Sequence, residues 1–310
     1  MKDKTILVTG GTGSFGNYFV NHVLGQNPQK LIIFSRDELK QYEMAQEFSV
    51  SGKKDERLRF WLGDVRDKDR LARAFRGVDY VIHAAALKQV ETAEYNPFEC
   101  VKTNIIGSQN VIDAAIDAGV DKVVALSTDK AVDPAGLYGA SKLCADRLFI
   151  SSNVYSQKTK FACVRCGNII GSRGSVYPVF MKQRENGVVT VTDLRMTRFF
   201  MTGQAWVIMV LEALDKMQGG EIFVPKIPSA RMEDIVRAVA PGCDVKITGI
   251  RPGEKLHEAM ITADDARHTV EHADYYIINP FARGSVPDGF TYSSDNNDDW
   301  LSVEQLRVMA

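Results

Sequence analysis

The sequence predicts an α/β fold, a doubly wound parallel sheet followed by a smaller C-terminal α/β lobe. Three observations carry that expectation. Six short apolar runs, Thr5–Val8, Leu31–Phe34, Leu58–Leu62, Tyr80–His83, Lys122–Leu126 and Phe161–Val164, recur roughly 20–40 residues apart. They lack the polar alternation of half-exposed strands, as expected of parallel strands covered on both faces. Between them stand apolar residues at helical spacing: Phe15, Phe19, Val20, Val23 and Leu24, then Leu71, Ala74 and Phe75, then Val101, Ile105, Ile112, Ala115 and Ile116. A glycine-rich turn separates the first run from the first helical pattern.

Past residue 166 the rhythm loosens. Gly171-Ser172-Arg173-Gly174-Ser175 has loop chemistry, and Pro178 suits a helix start. Trp206–Met217 reads as an apolar helix, Ile222–Val224 and Val245–Thr248 as strands, and the polar stretch 293–299 as a solvated loop. The chain therefore divides at residues 1–166 and 167–310, the second part folding over the strand ends and interleaving with the first.

The chain has 310 residues, 45% of them hydrophobic, enough for a sizeable core. With 38 Lys and Arg against 39 Asp and Glu, it lacks the basic stripe of a nucleic-acid binder. Met1 to Thr5 leads straight into an apolar strand without a secretory h-region. The longest charge-free apolar stretch, Phe199 to Leu211, is 13 residues, short of the ~20 that span a bilayer. A cytoplasmic protein without a membrane segment is expected. Cys163 and Cys166 match C-x-x-C, but on a strand residues three apart face opposite ways. His268 and His272 read as one face of a solvated helix without a third ligand, so no metal site is expected.

Gly10, Gly13 and Gly16, with Thr12, Ser14 and Phe15 among them, form a variant of the dinucleotide fingerprint between a strand and a helix. Backbone without Cβ atoms turns tightly and lets a pyrophosphate approach the helix N-terminus, the mark of a Rossmann-type domain. After the second strand, Ser35-Arg36-Asp37 with Lys40 favours NADP, because a guanidinium pairs a 2′-phosphate. Asp64 and Val65, after the third strand, suit the adenine edge, and Ala84, Ala85 and Ala86, after the fourth, leave room for the cofactor backbone. Tyr138 and Lys142 form Tyr-x-x-x-Lys on one helix face, where the ammonium can lower the phenol pKa. Upstream, Ser127-Thr128-Asp129-Lys130 ends the fifth strand, where such folds place their chemistry.

In this order the residues resemble an extended short-chain dehydrogenase/reductase. More narrowly, they resemble the configuration-inverting UDP-N-acetylglucosamine 4,6-dehydratases of bacterial pseudaminic acid synthesis. The distinctive pieces are Ser35 to Gln41, His83 to Val90, Ser127 to Lys130, Gly171 to Val176, Arg195 to Phe199 and Arg251 to Glu258. One departure is Arg165-Cys166-Gly167-Asn168, where the family has Tyr at the second position; Cys166 is read as filling part of a wall. The resemblance implies that Tyr138 takes the sugar O4 proton as hydride leaves C4. Lys130, as a neutral amine, then removes the C5 proton while Asp129 protonates the departing C6 hydroxyl. It adds Lys88 and Asn104 to the cofactor set. For the UDP-sugar it points to Lys88, Asn168, Ser175, Val176, Arg195, Arg251 and Glu254, the two arginines suiting a diphosphate. It also implies a homo-oligomer between dimer and hexamer. The competing readings are a retaining 4,6-dehydratase or UDP-sugar 4-epimerase on the same fold, and a non-catalytic NADP-binding protein. The first would replace Asp129-Lys130 by Asp-Glu, the second would lack the acid–base pair, and the third would tend to lose Tyr138 or Lys142.

Overall fold

The computed structural model describes residues 1–50, 53–172 and 174–309. Six parallel strands form its centre: β1 (Thr5–Thr9), β2 (Lys30–Ser35), β3 (Leu58–Leu62), β4 (Tyr80–His83), β5 (Lys122–Leu126) and β6 (Lys160–Val164). They stand in the order β3-β2-β1-β4-β5-β6, with Ile6 opposite Leu31 on one side and Tyr80 on the other. The order reverses between β1 and β4, which opens a crevice at the strand C-terminal ends. Each expected run lies within its strand and falls short by at most one residue at an end.

Alternate residues of each strand feed different cores. Leu7, Ile32 and Phe34 join one apolar cluster, while Ile6, Val8, Leu31 and Ile33 join another. This double burial explains why the runs are apolar throughout. The crossovers include α1 (Ser14–Leu24), α2 (Glu38–Glu47), α3 (Lys68–Ala74), α4 (Gly107–Ala118) and α5 (Leu137–Ser151). The helical pattern expected from Val101 onward is interrupted by a π-helical turn at Val101–Ile106. That wider turn rotates the face, so Thr103 and Asn104 are buried while Ile106 is exposed.

The C-terminal half both extends the sheet and builds its own lobe. Strand Ile222–Pro225 pairs parallel with β6, and Tyr275–Ile278 and Thr269–Glu271 follow antiparallel, giving nine strands. The boundary at residue 166 is thus crossed by three strands of the second part. A third apolar cluster, including Tyr177, Phe180, Phe200, Ile235 and Leu306, belongs to the lobe. Pro178 is the third residue of helix Val176–Arg184, and the expected strand at 245–248 is Asp244–Ile247. The apolar helix is Gly203–Lys216, whose Trp206 packs edge-on against Phe15 of α1 at 4.8 Å.

His268 and His272 do not share a helix. The strand Thr269–Glu271 separates them, His268 Nδ1 bonds to the Ala282 carbonyl and His272 stacks on Tyr275. The strand's β-branched Thr269 and Val270 override the helical spacing. Arg173 of the loop segment lies outside the described residues. Among the described residues no helix is long and apolar enough to cross a membrane.

The glycine turn yields a stability contrast. A Cβ at Gly16 would stand 1.8 Å from the Gly11 carbonyl oxygen, whereas Gly25 has an ordinary helical φ of −66° and its nearest neighbour at 3.5 Å. Gly16→Ala should lower the unfolding free energy by more than ~2 kcal/mol, and Gly25→Ala should change it by less than ~1 kcal/mol. Urea denaturation of both variants checks this.

Candidate active site

The crevice between β1 and β4 is built from backbone. Gly10 has φ +65°, and a Cβ there would meet Ala85 N and Cα at 2.8 Å, so the two strand ends approach in van der Waals contact. Gly13 caps α1 without any side-chain bond, and the first turn of α1 carries no acidic residue. A Cβ on Gly13 would meet only the Gly10 carbonyl oxygen, at 3.1 Å. These features fit a pyrophosphate at the helix N-terminus. Ser14 opens the helix beside them, while the Phe15 side chain packs on Phe19 and Trp206, leaving its backbone to the cradle.

Next to this turn, Thr12 Oγ1 donates to Ser35 Oγ at 3.2 Å, and Gln41 Nε2 donates to the same hydroxyl. Asp37 accepts from Lys40 N at 3.0 Å as the cap of α2 and pairs with Lys40 Nζ at 2.7 Å. The half-exposed Arg36 guanidinium is 3.8 Å from Asp64. Burial pushes the Asp64 carboxyl up, but hydrogen bonds from Arg66 outweigh it and hold the group below the usual range. Val65 packs in the core, and its carbonyl accepts from Asn110. Ala84, Ala85 and Ala86 follow β4, with Ala85 N 3.3 Å from Thr9 Oγ1. Asn104 is spent inside the protein: it accepts from Leu87 N and donates to Leu87 O and Ser141 Oγ, tying the loop after β4 to α5.

The catalytic candidates converge at the end of β5. Asp129 is fully buried; its Oδ1 accepts from Thr128 Oγ1 and Lys130 Nζ, both at 3.0 Å, while Oδ2 has no hydrogen-bond partner among the described residues. Lys130 Nζ also reaches Asn168 Oδ1 at 3.4 Å and Glu258 Oε1 at 3.2 Å. Burial pushes the Asp129 carboxyl up, Lys130 opposes this, and the Glu258 charge adds to it. Partial burial lowers the Lys130 pKa, but Asp129 and Glu258 overcome that and hold the ammonium above the ordinary lysine range. Two carboxylates thus face the nitrogen where the sequence marked only one, so the resting form is the ammonium and the neutral amine expected of the base has to be generated by loss of a proton.

Tyr138 and Lys142 share α5. Burial raises the phenol pKa, and the leading charge against that rise is Lys130, not Lys142. Lys142 Nζ donates to the Leu126 carbonyl at 2.7 Å. Lys88, after β4, has its pKa lowered, first by desolvation and then by the Lys130 charge. Cys166 braces the catalytic turn: its Sγ donates to the Ser127 carbonyl at 3.1 Å, and Asp129 N donates to the Cys166 carbonyl at 3.1 Å.

The substrate candidates fall into two groups. Lys130, Tyr138, Gly136, Gly253 and Lys255 line one narrow cleft. Arg251, beside it, pairs with Glu91 at 2.7 Å and with Glu254 at 2.5 Å. Ser175 caps the helix that Val176 begins, its hydroxyl is buried without a partner among the described residues, and neighbouring Gly174 abuts Gln89. Arg195, held by Asp193 at 2.7 Å, lines a separate cavity with Arg231, His257 and Trp300. The two arginines therefore do not form one preassembled clamp. Glu258, Arg198 and Lys255 are the site residues that sequence reasoning missed. All three lie within the distinctive stretches Arg195–Phe199 and Arg251–Glu258, which marked them without giving them a role.

The polysaccharide biosynthesis protein family matches residues 6–280. A Campylobacter jejuni protein named UDP-N-acetylglucosamine 4,6-dehydratase (inverting) is 50% identical, over 98% of this chain and 96% of the relative. The X-ray structure of Pen from Bacillus thuringiensis superposes with a TM-score of 0.93 at 40% identity, covering 99% of this chain and 97% of that one. DesIV, a dTDP-glucose 4,6-dehydratase from Streptomyces venezuelae solved with NAD bound, gives a TM-score of 0.70 at 25% identity, covering 81% and 86%.

His83 links the crevice to global stability. Its Nδ1 hydrogen-bonds Thr9 Oγ1 at 2.8 Å and its Nε2 Ser108 Oγ at 3.2 Å. Burial, with Lys142 nearby, pushes its pKa from 6.5 down to about 3. A histidine depressed on folding stabilises the native state above its unfolded pKa and loses that contribution as pH falls toward the folded value. Stability should therefore decline from about pH 6.5 towards pH 3, and His83→Asn should flatten that part of the slope. Denaturant midpoints measured against pH read it directly.

Proposed function

The chain belongs to the polysaccharide biosynthesis protein family and is an extended short-chain dehydrogenase/reductase, and from that premise we propose that it is a UDP-N-acetylglucosamine 4,6-dehydratase that inverts C5. Its product is then UDP-2-acetamido-2,6-dideoxy-β-L-arabino-hexos-4-ulose. The observation that carries this reading is the pairing of fully buried Asp129 with half-buried Lys130 at 3.0 Å, beside Tyr138 in the crevice. An epimerase has no step for such a pair, because elimination alone needs an acid at O6 together with a base at C5.

A nicotinamide cofactor, held by the glycine turn, supplies the hydride acceptor for C4 and the donor for C6. As a phenolate, the form that the Lys130 charge favours, Tyr138 accepts the O4 proton as C4 is oxidised. The C4 ketone makes the C5 proton acidic. Lys130 must then be an amine, and the proton it sheds has an acceptor 3.0 Å away in Asp129. One transfer, breaking an N–H bond and forming an O–H bond, produces the base and the acid together. The amine takes the C5 proton, and Asp129 delivers its own to the leaving C6 hydroxyl, which departs as water. Asn168 shares the Lys130 nitrogen and orients it. For the UDP-sugar we assign Lys88, Asn168, Ser175, Val176, Arg251 and Glu254 to the cleft and its rim, with Arg195 closing from its separate cavity.

NADP is the proposed cofactor. Asp37, the carboxylate that would favour NAD, is engaged as a helix cap and with Lys40, which leaves Arg36 as the side chain for a 2′-phosphate. Calorimetric titration should give tighter binding of NADP than NAD, and Arg36→Ala should narrow the gap at least tenfold, worth ~1.4 kcal/mol. Equal affinities in the unmodified protein overturn the assignment.

Incubation with UDP-N-acetylglucosamine should yield a product lighter by one water. Run in D₂O, NMR at the earliest time point should show deuterium at C5 with L-arabino couplings; D-xylo couplings at that point mean retention. Tyr138→Phe should block C4 oxidation, and Asp129→Asn should permit it but stall water loss. Stopped-flow absorbance of the nicotinamide then rises and stays only in the Asp129 variant.

A further inference from the structure

Glu258 comes from the C-terminal half of the chain yet ends inside the catalytic cluster. It is 2% exposed, and its backbone is pinned on both sides by Ser294: Glu258 N donates to Ser294 Oγ at 2.9 Å and Ser294 N donates to the Glu258 carbonyl at 2.7 Å. Ser294 is in turn 2.7 Å from Thr197 Oγ1. The carboxylate faces three cations: Lys130 at 3.2 Å, Lys255 at 3.1 Å and Arg198 Nε at 4.0 Å.

The three cations are not equivalent. Lys255 Nζ is anchored on the Val132 carbonyl at 2.8 Å, and Arg198 on the carbonyls of Thr197, Leu256 and Lys255. Lys130 Nζ rests on side chains: Asp129, Asn168 and Glu258. Lys255 and Arg198 therefore serve as fixed positive charges that keep Glu258 ionised. Burial favours the protonated acid, but Lys130, Arg198 and Lys255 together hold the carboxyl below its usual range.

We propose that Glu258 is a positioning residue for Lys130, a fixed counter-charge from the C-terminal lobe that holds the nitrogen beside Asp129 and sets how strongly it binds its proton. Its catalytic consequence rests on the dehydratase reading; the charge pairing itself does not. When Lys130 has taken the C5 proton and Asp129 has given its own away, the new ammonium already faces Glu258 at 3.2 Å. The other charged or titratable groups around Lys130 are Asp129 on its own turn, Lys88 after β4, Tyr138 on α5, Arg198 on strand Thr197–Met201 and Lys255 in the same cleft. Lys88 and Arg198 disfavour the cation, so the two carboxylates carry it.

The test is a titration of the Lys130 side-chain nitrogen by NMR in the full-length protein and in Glu258→Gln. An opposite charge at this range shifts a pKa by roughly 1–3 units, so the Lys130 midpoint should fall by at least one unit in the variant and be largely restored in Glu258→Asp. With UDP-N-acetylglucosamine in D₂O, the acid limb of C5 exchange should move to lower pH while C4 oxidation persists. An unchanged Lys130 midpoint overturns the proposal. Should the unmodified protein show the Lys130–Glu258 coupling yet fail to dehydrate the sugar, the proposed activity falls and the pairing stands. If Glu258→Gln does not fold, the Glu258 carboxyl carbon in the unmodified protein decides: it must respond at the Lys130 midpoint, and a flat trace there refutes the pairing.

Discussion

An ammonium drawn largely out of water must be paired, because losing hydration is costly even after the protein relaxes. Lys130 imposes that constraint on the structure around it. Asp129 alone would answer its charge, but a permanently ionised Asp129 carries no proton for a leaving hydroxyl. The second carboxylate, on Glu258, answers the ammonium even when Asp129 carries a proton of its own. Supplying it requires the C-terminal half to reach under the strand ends, which explains why Ser294, Thr197 and the carbonyls around Leu256 are tied together there.

Beneath this cluster lies a second buried layer that holds the catalytic turn in place. Ser127 Oγ donates to Asp146 at 2.5 Å, and burial holds the Asp146 carboxyl above its ordinary range, with Lys142 and Arg165 opposing. Lys142 binds the Leu126 carbonyl, and Cys166 binds that of Ser127. The end of β5 is thereby fastened to α5 and to the segment after β6. Cys166, read from the sequence as part of a wall, is a brace: a thiol is small enough to lie against the strand-end carbonyl it bonds.

The sheet was legible because burial on both faces writes itself as unbroken apolar runs, and the glycine turn because only glycine tolerates the approach of Gly10 to Ala85 or of Gly16 to Gly11. Asp129, Lys130 and Tyr138 were legible because they follow strand and helix landmarks closely in sequence. What stayed hidden depends on distant pairings. Part of what holds the charge on Lys130 comes from Glu258, far along the chain. The partner of Lys142 is a main-chain carbonyl, which no motif records. The inward turn of Asn104 follows from a π-helical step that apolar periodicity could not foresee. Thr269–Glu271 escaped notice because three residues ending in Glu271 carry too little pattern to mark an edge strand.

The three strands that the C-terminal half adds to the sheet also bear on how the chain is made. Until Ile222–Pro225 emerges, β6 presents an open edge, and that added strand is in turn uncovered until Tyr275–Ile278 arrives. A ribosome therefore releases most of the polypeptide before the sheet closes, and the last pairings join segments far apart in sequence, which slows folding. Exposed strand edges on a partly synthesised chain invite intermolecular pairing. Fragments ending before residue 278 leave such an edge uncovered and are poor candidates for soluble expression.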